Sequence, residues 1–291
     1  MVDPADLLRW CSVPADALVR HPDARLRLRL CADSARLGHL MARELVDAIT
    51  ATEGTFRVIV PCGPSSWYGP FTTLVNTERV SLRNVEVFHM DECLDWQGRP
   101  VPRRHPYSFR GFMEREFYAP VDPLLAVPEN NRRWPEPANV ADLTADLLQT
   151  PADLVYGGWG QDGHVAYNQA RRHPYSALSV AQLRESTARV QENSPDTVIA
   201  LAHRTFGGAY QFVPPMSVTL GMAEILAAQR IRLFSDTGAW KQTALRVALF
   251  GDPTPEYPVT LLQEHPDVLL TATVDTARHP IAEHPEWELQ C

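Results

Sequence analysis

Asp162 and His164 stand two positions apart in the run Gly157-Gly158-Trp159-Gly160-Gln161-Asp162-Gly163-His164-Val165-Ala166-Tyr167-Asn168. An imidazole carries protons near neutral pH, and a carboxylate beside it can orient it, so the pair reads as acid–base machinery. A short motif of this kind also arises as a plain turn in which the aspartate caps the next segment and the histidine packs. Other groups bear chemistry too. Asp91 and Glu92 follow an apolar run directly. A carboxylate there could abstract a proton next to a carbonyl, or simply cap a turn; Glu92 is expected to play the structural part. Lys241 opens a helical pattern just after Thr237-Gly238, where helix-start amides and an ammonium could share one anion. A lone lysine on a helix is more often merely solvated. Ser65 and Ser66 add hydroxyls in the loop Pro64-Ser65-Ser66-Trp67-Tyr68-Gly69-Pro70.

Such groups need elements to place them. Leu154-Val155-Tyr156 reads as a buried strand running into the glycine-rich loop, and open α/β sheets bind ligands at the carboxyl ends of their strands. Further strands are expected at 26–30, 56–60, 85–90, 198–201, 231–234 and 268–271. A helix capped by Asp33-Ser34 is expected to run to about Ile49, with Leu37, Leu40, Met41, Leu45 and Val46 on one face. Others are expected at about 71–75, 107–117, 138–148, 219–227 and 239–249, with 94–107 a long Pro- and Arg-rich loop and the tail after Thr276 wrapping the surface. This alternation predicts the α/β class: a single modified Rossmann-like domain over 1–291, with a mostly parallel sheet and helices on both faces.

Composition agrees. The chain has 291 residues, 45% of them hydrophobic, enough for one large core. A formal net charge of −8 argues against a nucleic-acid groove and against an anionic membrane surface. It leaves room for an anionic substrate, which needs only a few local cations. Cys11, Cys31, Cys62, Cys93 and Cys291 are odd in number and lack paired spacing, so free thiols in a reducing compartment are expected. No apolar run approaches about 18 residues and no charged-then-apolar segment opens the chain, so the expectation is a soluble, cytoplasmic protein.

The whole glycine-rich run resembles the Gly-Gly-X-Gly-X-Asp-Gly-His-Ile-Ala-Phe-Asn-Glu signature of glucosamine-6-phosphate deaminases. Val85-Glu86-Val87-Phe88-His89-Met90-Asp91-Glu92 is similar to that family's strand ending in Met-Asp-Glu. Pro214-Pro215-Met216-Ser217-Val218-Thr219-Leu220-Gly221 is similar to its Val-Pro-X-X-X-X-Thr-X-Gly helix start. Lys241 follows Gly221 at the spacing of the family's phosphate-binding lysine, and Arg204 lies about one residue from its second cationic position. The matches are collinear over roughly residues 25 to 275. The resemblance implies an aldose–ketose isomerase or deaminase acting on a 2-amino-2-deoxy sugar, taken as its 6-phosphate, without cofactor or metal. By the same resemblance Asp91 moves a proton between C2 and C1 of the open-chain sugar, while Asp162, His164 and the residue at 169 open the pyranose ring. Ser65, Ser66, Arg204 and Lys241 would hold the phosphate. A homo-oligomer is compatible with the family.

The chain also departs from that pattern. Gln169 stands where the family has a glutamate; it keeps a hydrogen bond but has no ionisable proton to lend the imidazole. The family's Gly-Gly-Thr/Ser-Pro phosphate cradle is replaced by the Ser65-Ser66-Trp67-Tyr68 loop, whose aromatics either stack on a sugar face or pack the loop. Ala170-Arg171-Arg172-His173 replaces the Gly-Ser-Ser segment of the allosteric site in hexameric bacterial deaminases. Arg189 matches a later residue of that site, but Gln191 stands where a lysine is expected, so no activation by an N-acetylated sugar phosphate is predicted. Two other readings stay open. One is a sugar lactonase, since 6-phosphogluconolactonases share the fold and the Gly-X-Gly-X-Asp-Gly-His core; there His164 would activate water or the ring oxygen. The other is a non-catalytic sugar-phosphate sensor, suggested by Gln169 and the altered loop. Asn168 and Met90-Asp91-Glu92 fit the deaminase pattern better than the lactonase one, and the joint presence of Asp91, Asp162, His164 and Lys241 favours an enzyme.

Overall fold

The computed structural model describes residues 2–170, 175 and 177–289. Two short helices open the chain, α1 (Pro4–Cys11) and α2 (Ala15–Leu18). Strand β1 (Arg27–Cys31) leads to α3 (Ser34–Thr50), which Asp33 caps by accepting the Arg36 amide, as its sequence predicts. β2 (Phe56–Val60), α4 (Tyr68–Thr77), β3 (Val85–His89) and β4 (Asp91–Leu94) follow. After a long strap come α5 (Phe109–Met113), a π-helical turn at Glu114–Tyr118, β5 (Arg132–Arg133), α6 (Val140–Gln149) and β6 (Leu154–Gly157). The rest is α7 (Val180–Arg184), β7 (Arg189–Glu192), α8 (Pro195–Phe206), β8 (Met216–Thr219), α9 (Met222–Ala227) and β9 (Ile231–Ser235). It ends with α10 (Gln242–Phe250), β10 (Val268–Thr273), α11 (Val274–Ala277) and α12 (Pro280–Glu283).

Seven strands form a parallel sheet in the order β1-β10-β9-β6-β2-β3-β5. Alternating side chains leave its two faces. Phe56, Val58, Val60 and Tyr156 pack under α3 and α4, where Leu37, Met41, Leu45 and Phe71 are buried. Ile59, Val155 and Leu233 face the other way, against Leu147, Ile225 and Leu245 of α6, α9 and α10. Each such side chain contributes about 1.5–3 kcal/mol on burial. The expected α/β architecture, with helices on both faces of a parallel sheet, is what the chain forms.

Two local expectations are overturned. Residues 198–201 are not a strand but the middle of α8, with Ser194 capping it through the Thr197 amide and Pro195 in the first turn. A short apolar run cannot by itself distinguish strand from helix; the Ser-Pro-Asp start does. The Ser217-Val218-Thr219 segment is likewise strand, not helix start, and α9 begins only after Gly221. It is the middle strand of a second, antiparallel sheet, β4-β8-β7, which sequence alone did not reveal. The tail after Thr276 is only partly superficial: Ala277 is buried and the exposed chain begins near Pro280.

Candidate active site

Strand order reverses between β2 and β6, since β3 and β5 lie beyond one and β9, β10 and β1 beyond the other. At such a switch the connections splay apart and leave a crevice at the strands' carboxyl ends. Here a cavity of about 370 Å³ lies there, walled by the loops after β2, β3, β6 and β9, with α5 and α8 closing over them. Asp91, His164, Ser65, Arg204 and Lys241 all line it.

The loop after β6 is shaped for His164. A β-carbon on Gly160 would sit 2.1 Å from the imidazole Cε1, so only glycine leaves the ring its place. Gly163 turns the chain at φ +73°, and its carbonyl accepts the Val259 amide at 2.7 Å. Ala166 holds φ +55°, a conformation costly for a residue with a β-carbon. His164 Nδ1 lies 2.6 Å from Asp162 Oδ1, and Asp162 is buried. Burial pushes the Asp162 carboxyl up, but the His164 charge and hydrogen bonds outweigh it and bring it down to about 2. The aspartate is therefore ionised and the imidazole donates to it from Nδ1, which leaves Nε2 as the nitrogen able to take a proton.

Asp91 sits where the chain leaves one sheet for the other. Met90 still donates to Val60 of the parallel sheet, and its carbonyl accepts Leu220; Asp91 then pairs with Thr219 as the first residue of β4. Among the described residues no hydrogen bond reaches its carboxylate. Burial, and then the adjacent Glu92, push the Asp91 carboxyl up to about 8, which makes its ionised form a strong base. Glu92 itself accepts the amides of Cys93, Phe109 and Arg110.

Two cations line the same cavity. Arg204 of α8 lies with its guanidinium 5.8 Å from the Trp240 ring centre, and Lys241 ends the turn before α10. Among the described residues neither forms an ion pair within 4 Å. Burial holds the Lys241 ammonium down at about 8, with Asp236 opposing and Arg204 adding to the shift. Asp236 also lines the cavity, its carboxylate accepting the Ser34 hydroxyl at 2.8 Å. A lysine and an arginine that share one pocket with no carboxylate within 4 Å among the described residues have the chemistry to hold an anion.

Not every expected residue joins the cavity. Gln169 is buried but does not line it: its Oε1 accepts the Ser194 amide at 2.7 Å and its Nε2 donates to Thr197 at 2.6 Å. It fastens the site loop to the start of α8. Ser66 is likewise not part of the wall, although Thr237 is; among the described residues the hydroxyls of both are buried without a partner. Trp67 and Tyr68 do not stack on anything in the cavity. They are buried in the core, Trp67 against Phe71, Phe117 and Tyr156, and the Tyr68 hydroxyl donates to Pro61 at 2.5 Å. Gln191 donates to the Tyr167 carbonyl, while Arg171, Arg172, His173 and Cys291 lie outside the described residues. Sequence reading missed the wall formed by Tyr107, Phe109, Phe112, Asp236 and Trp240. Asp236 could have been found from its place after a strand. Tyr107 could not, because its hydroxyl meets Leu201 and Thr205 of α8 only once the strap folds over.

No family model matches the chain. It is 31% identical over 254 residues to a glucosamine-6-phosphate deaminase of Serratia proteamaculans, covering 82% of this chain and 87% of that one. It is 31% identical over 253 residues to the enzyme of the same name from Aeromonas hydrophila, covering 83% and 88%. Among solved structures, a monomeric glucosamine-6-phosphate deaminase superposes with a TM-score of 0.73 at 21% identity, over 87% of this chain and 99% of that one. A 6-phosphogluconolactonase from Trypanosoma cruzi superposes at 0.62 and 19% identity, over 89% and 98%. These structural likenesses show a shared fold.

Proposed function

This chain belongs to the glucosamine-6-phosphate deaminase family, and from that premise we propose that it converts a 2-amino-2-deoxy sugar 6-phosphate, with water, into the ketose phosphate and ammonia. The observation that carries this reading is one cavity lined both by a buried carboxylate and by two cations that form no ion pair among the described residues. Lys241 and Arg204 grip the phosphate, with Ser65 at the rim, and so fix which carbons reach the acid–base groups. His164, oriented by Asp162, takes the C1 hydroxyl proton and returns one to the ring oxygen, which opens the ring. Asp91 then removes the C2 proton and delivers it to C1. The nitrogen at C2 becomes an imine, which water hydrolyses to the ketone and ammonia. Gln169 acts in this scheme by holding α8, not by moving a proton.

A lactonase reading rests on fold likeness alone, and a sensor reading leaves the buried base without a task. Described cysteines are free thiols, which supports a reducing, cytoplasmic setting. Among the described residues no helix is long and apolar enough to cross a membrane. We read 1–291 as one domain, because both hydrophobic faces share one sheet.

The test is incubation of the purified protein in deuterated water with glucosamine 6-phosphate, free glucosamine and 6-phosphogluconolactone. Ammonia and ketose in equal amounts, with the phosphorylated amino sugar preferred, are expected. Lactone hydrolysis without ammonia would replace this reading, and binding without any turnover would leave a sensor.

A further inference from the structure

Glu92 neighbours the base, is 3% exposed, and does not line the cavity. Its Oε1 accepts the amides of Cys93 and Phe109, each at 2.9 Å, and its Oε2 accepts that of Arg110 at 2.7 Å. Phe109 and Arg110 are the first residues of α5, which Ser108 also caps by accepting the Gly111 amide at 3.1 Å. Phe109 and Phe112 of that helix form cavity wall. One carboxylate thus ties a wall of the cleft to the strand that carries Asp91.

We propose that Glu92 is a positioning residue for this reaction: it docks the α5 wall beside Asp91 and supplies the buried negative charge against which Asp91 works. This rests on the role given to Asp91 above. Cys62, Tyr68, Cys93 and Tyr167 surround Asp91, and burial holds each of them neutral by raising its proton affinity. Arg103 on the strap faces Glu92 and Arg115 lies towards Cys62, and neither lines the cavity. Glu92 is therefore the charge that Asp91 meets. Three amides counter the burial that pushes its own carboxyl up.

The experiment compares Glu92→Gln, Glu92→Asp and Ser108→Ala with the wild type. In Glu92→Gln the acid limb of kcat/KM against pH should move down by about one unit, since a like charge has gone. The plateau kcat should fall about tenfold, because the base is weaker and its wall loosened. Ser108→Ala loosens the same helix start with the charge intact and should leave the limb in place, as should Glu92→Asp. A limb that stays put in Glu92→Gln, or moves as far in Ser108→Ala, overturns the proposal. Should Glu92→Gln fail to fold, a moved limb in either charge-conserving variant overturns it and an unmoved one supports it. Carbon-13 titration of the Asp91 carboxyl in the free protein reads the same shift without turnover. Absent C2 exchange in the wild type would then count against the proposed reaction alone, and an unmoved Asp91 titration against Glu92 alone.

Discussion

At the scale of single residues the site divides its work by environment. Asp162 is buried against an imidazole and stays ionised, whereas Asp91 is buried against a carboxylate and holds its proton until about pH 8. In the proposed reaction the same side chain thereby serves once as an orienting anion and once as a base. Asp91→Asn should abolish hydrogen–deuterium exchange at C2 while the substrate's dissociation constant changes by less than about fivefold. Exchange at near wild-type rate would remove Asp91 from the reaction. The pH profile follows from two groups with opposite demands. Asp91 must be ionised, so kcat/KM should fall as pH drops below about 8; Lys241 must be protonated, so it should fall as pH rises above about 8. We expect a narrow bell centred near there. Bound phosphate stabilises the ammonium, so the alkaline limb of kcat should lie at higher pH than that of kcat/KM.

At the scale of elements, α8 and the turn before α10 carry the two cations proposed to hold the phosphate. Lys241→Ala and Arg204→Ala should each weaken a phosphorylated substrate by about 1.5–3 kcal/mol, the value of a charge-assisted bond, and leave an unphosphorylated amino sugar unchanged. Equal losses for both sugars, measured as inhibition constants, would show that these cations do not read the phosphate. α8 is docked by Gln169 through Ser194 and Thr197, and by Tyr107 through Leu201 and Thr205. Gln169→Glu can keep both of its contacts, because a carboxylate accepts the Ser194 amide and the Thr197 hydroxyl, and the start of α8 favours the charge. Turnover of a cyclic amino sugar phosphate should change less than about tenfold, since among the described residues no hydrogen bond joins residue 169 to His164. A gain of about 10–100-fold would show that a carboxylate here reaches the ring-opening step. Parts of this level were readable. The strand–glycine loop–Asp–Gly–His order placed Asp162 beside His164, and Asp33 is a cap signal; Ser194 is one as well, but the apolar run 198–201 reads as a strand and hides it. The strap's grip on α8 was not, because Tyr107 and Thr205 are far apart in sequence and no local preference couples them.

At the scale of the molecule, the two ends of the chain meet at one buried arginine. Arg246 of α10 is 0% exposed and donates to the carbonyls of Val13 near the start and Ala277 near the end, at 3.0 and 2.9 Å. Arg246→Met should lower the unfolding free energy by at least about 2 kcal/mol, since each carbonyl left unpaired costs about 1–3 kcal/mol. Denaturant midpoints check this, and kcat of the folded fraction should be unchanged because no residue of α10 lines the cavity. An unchanged midpoint would mean that the chain ends are held by their apolar contacts instead.

The sequence by itself determined the α/β class, the parallel sheet's main strands and the placement of Asp91 and His164 at strand ends. Each is written locally, as apolar runs, caps and glycines whose conformational demands do not depend on the rest of the chain. Only tertiary structure decided the antiparallel sheet, since β4, β7 and β8 are short and polar enough that pairing, not propensity, makes them strands. It also decided where side chains point. Gln169 could not be read as a clasp on α8, nor Trp67 and Tyr68 as core, nor Asp236 as a carboxylate within the anion pocket. Proton affinity belongs to the same level: Asp91 and Asp162 are the same residue type and both are buried, yet Glu92 adds to the upward push on Asp91 while the His164 charge and hydrogen bonds overcome it at Asp162.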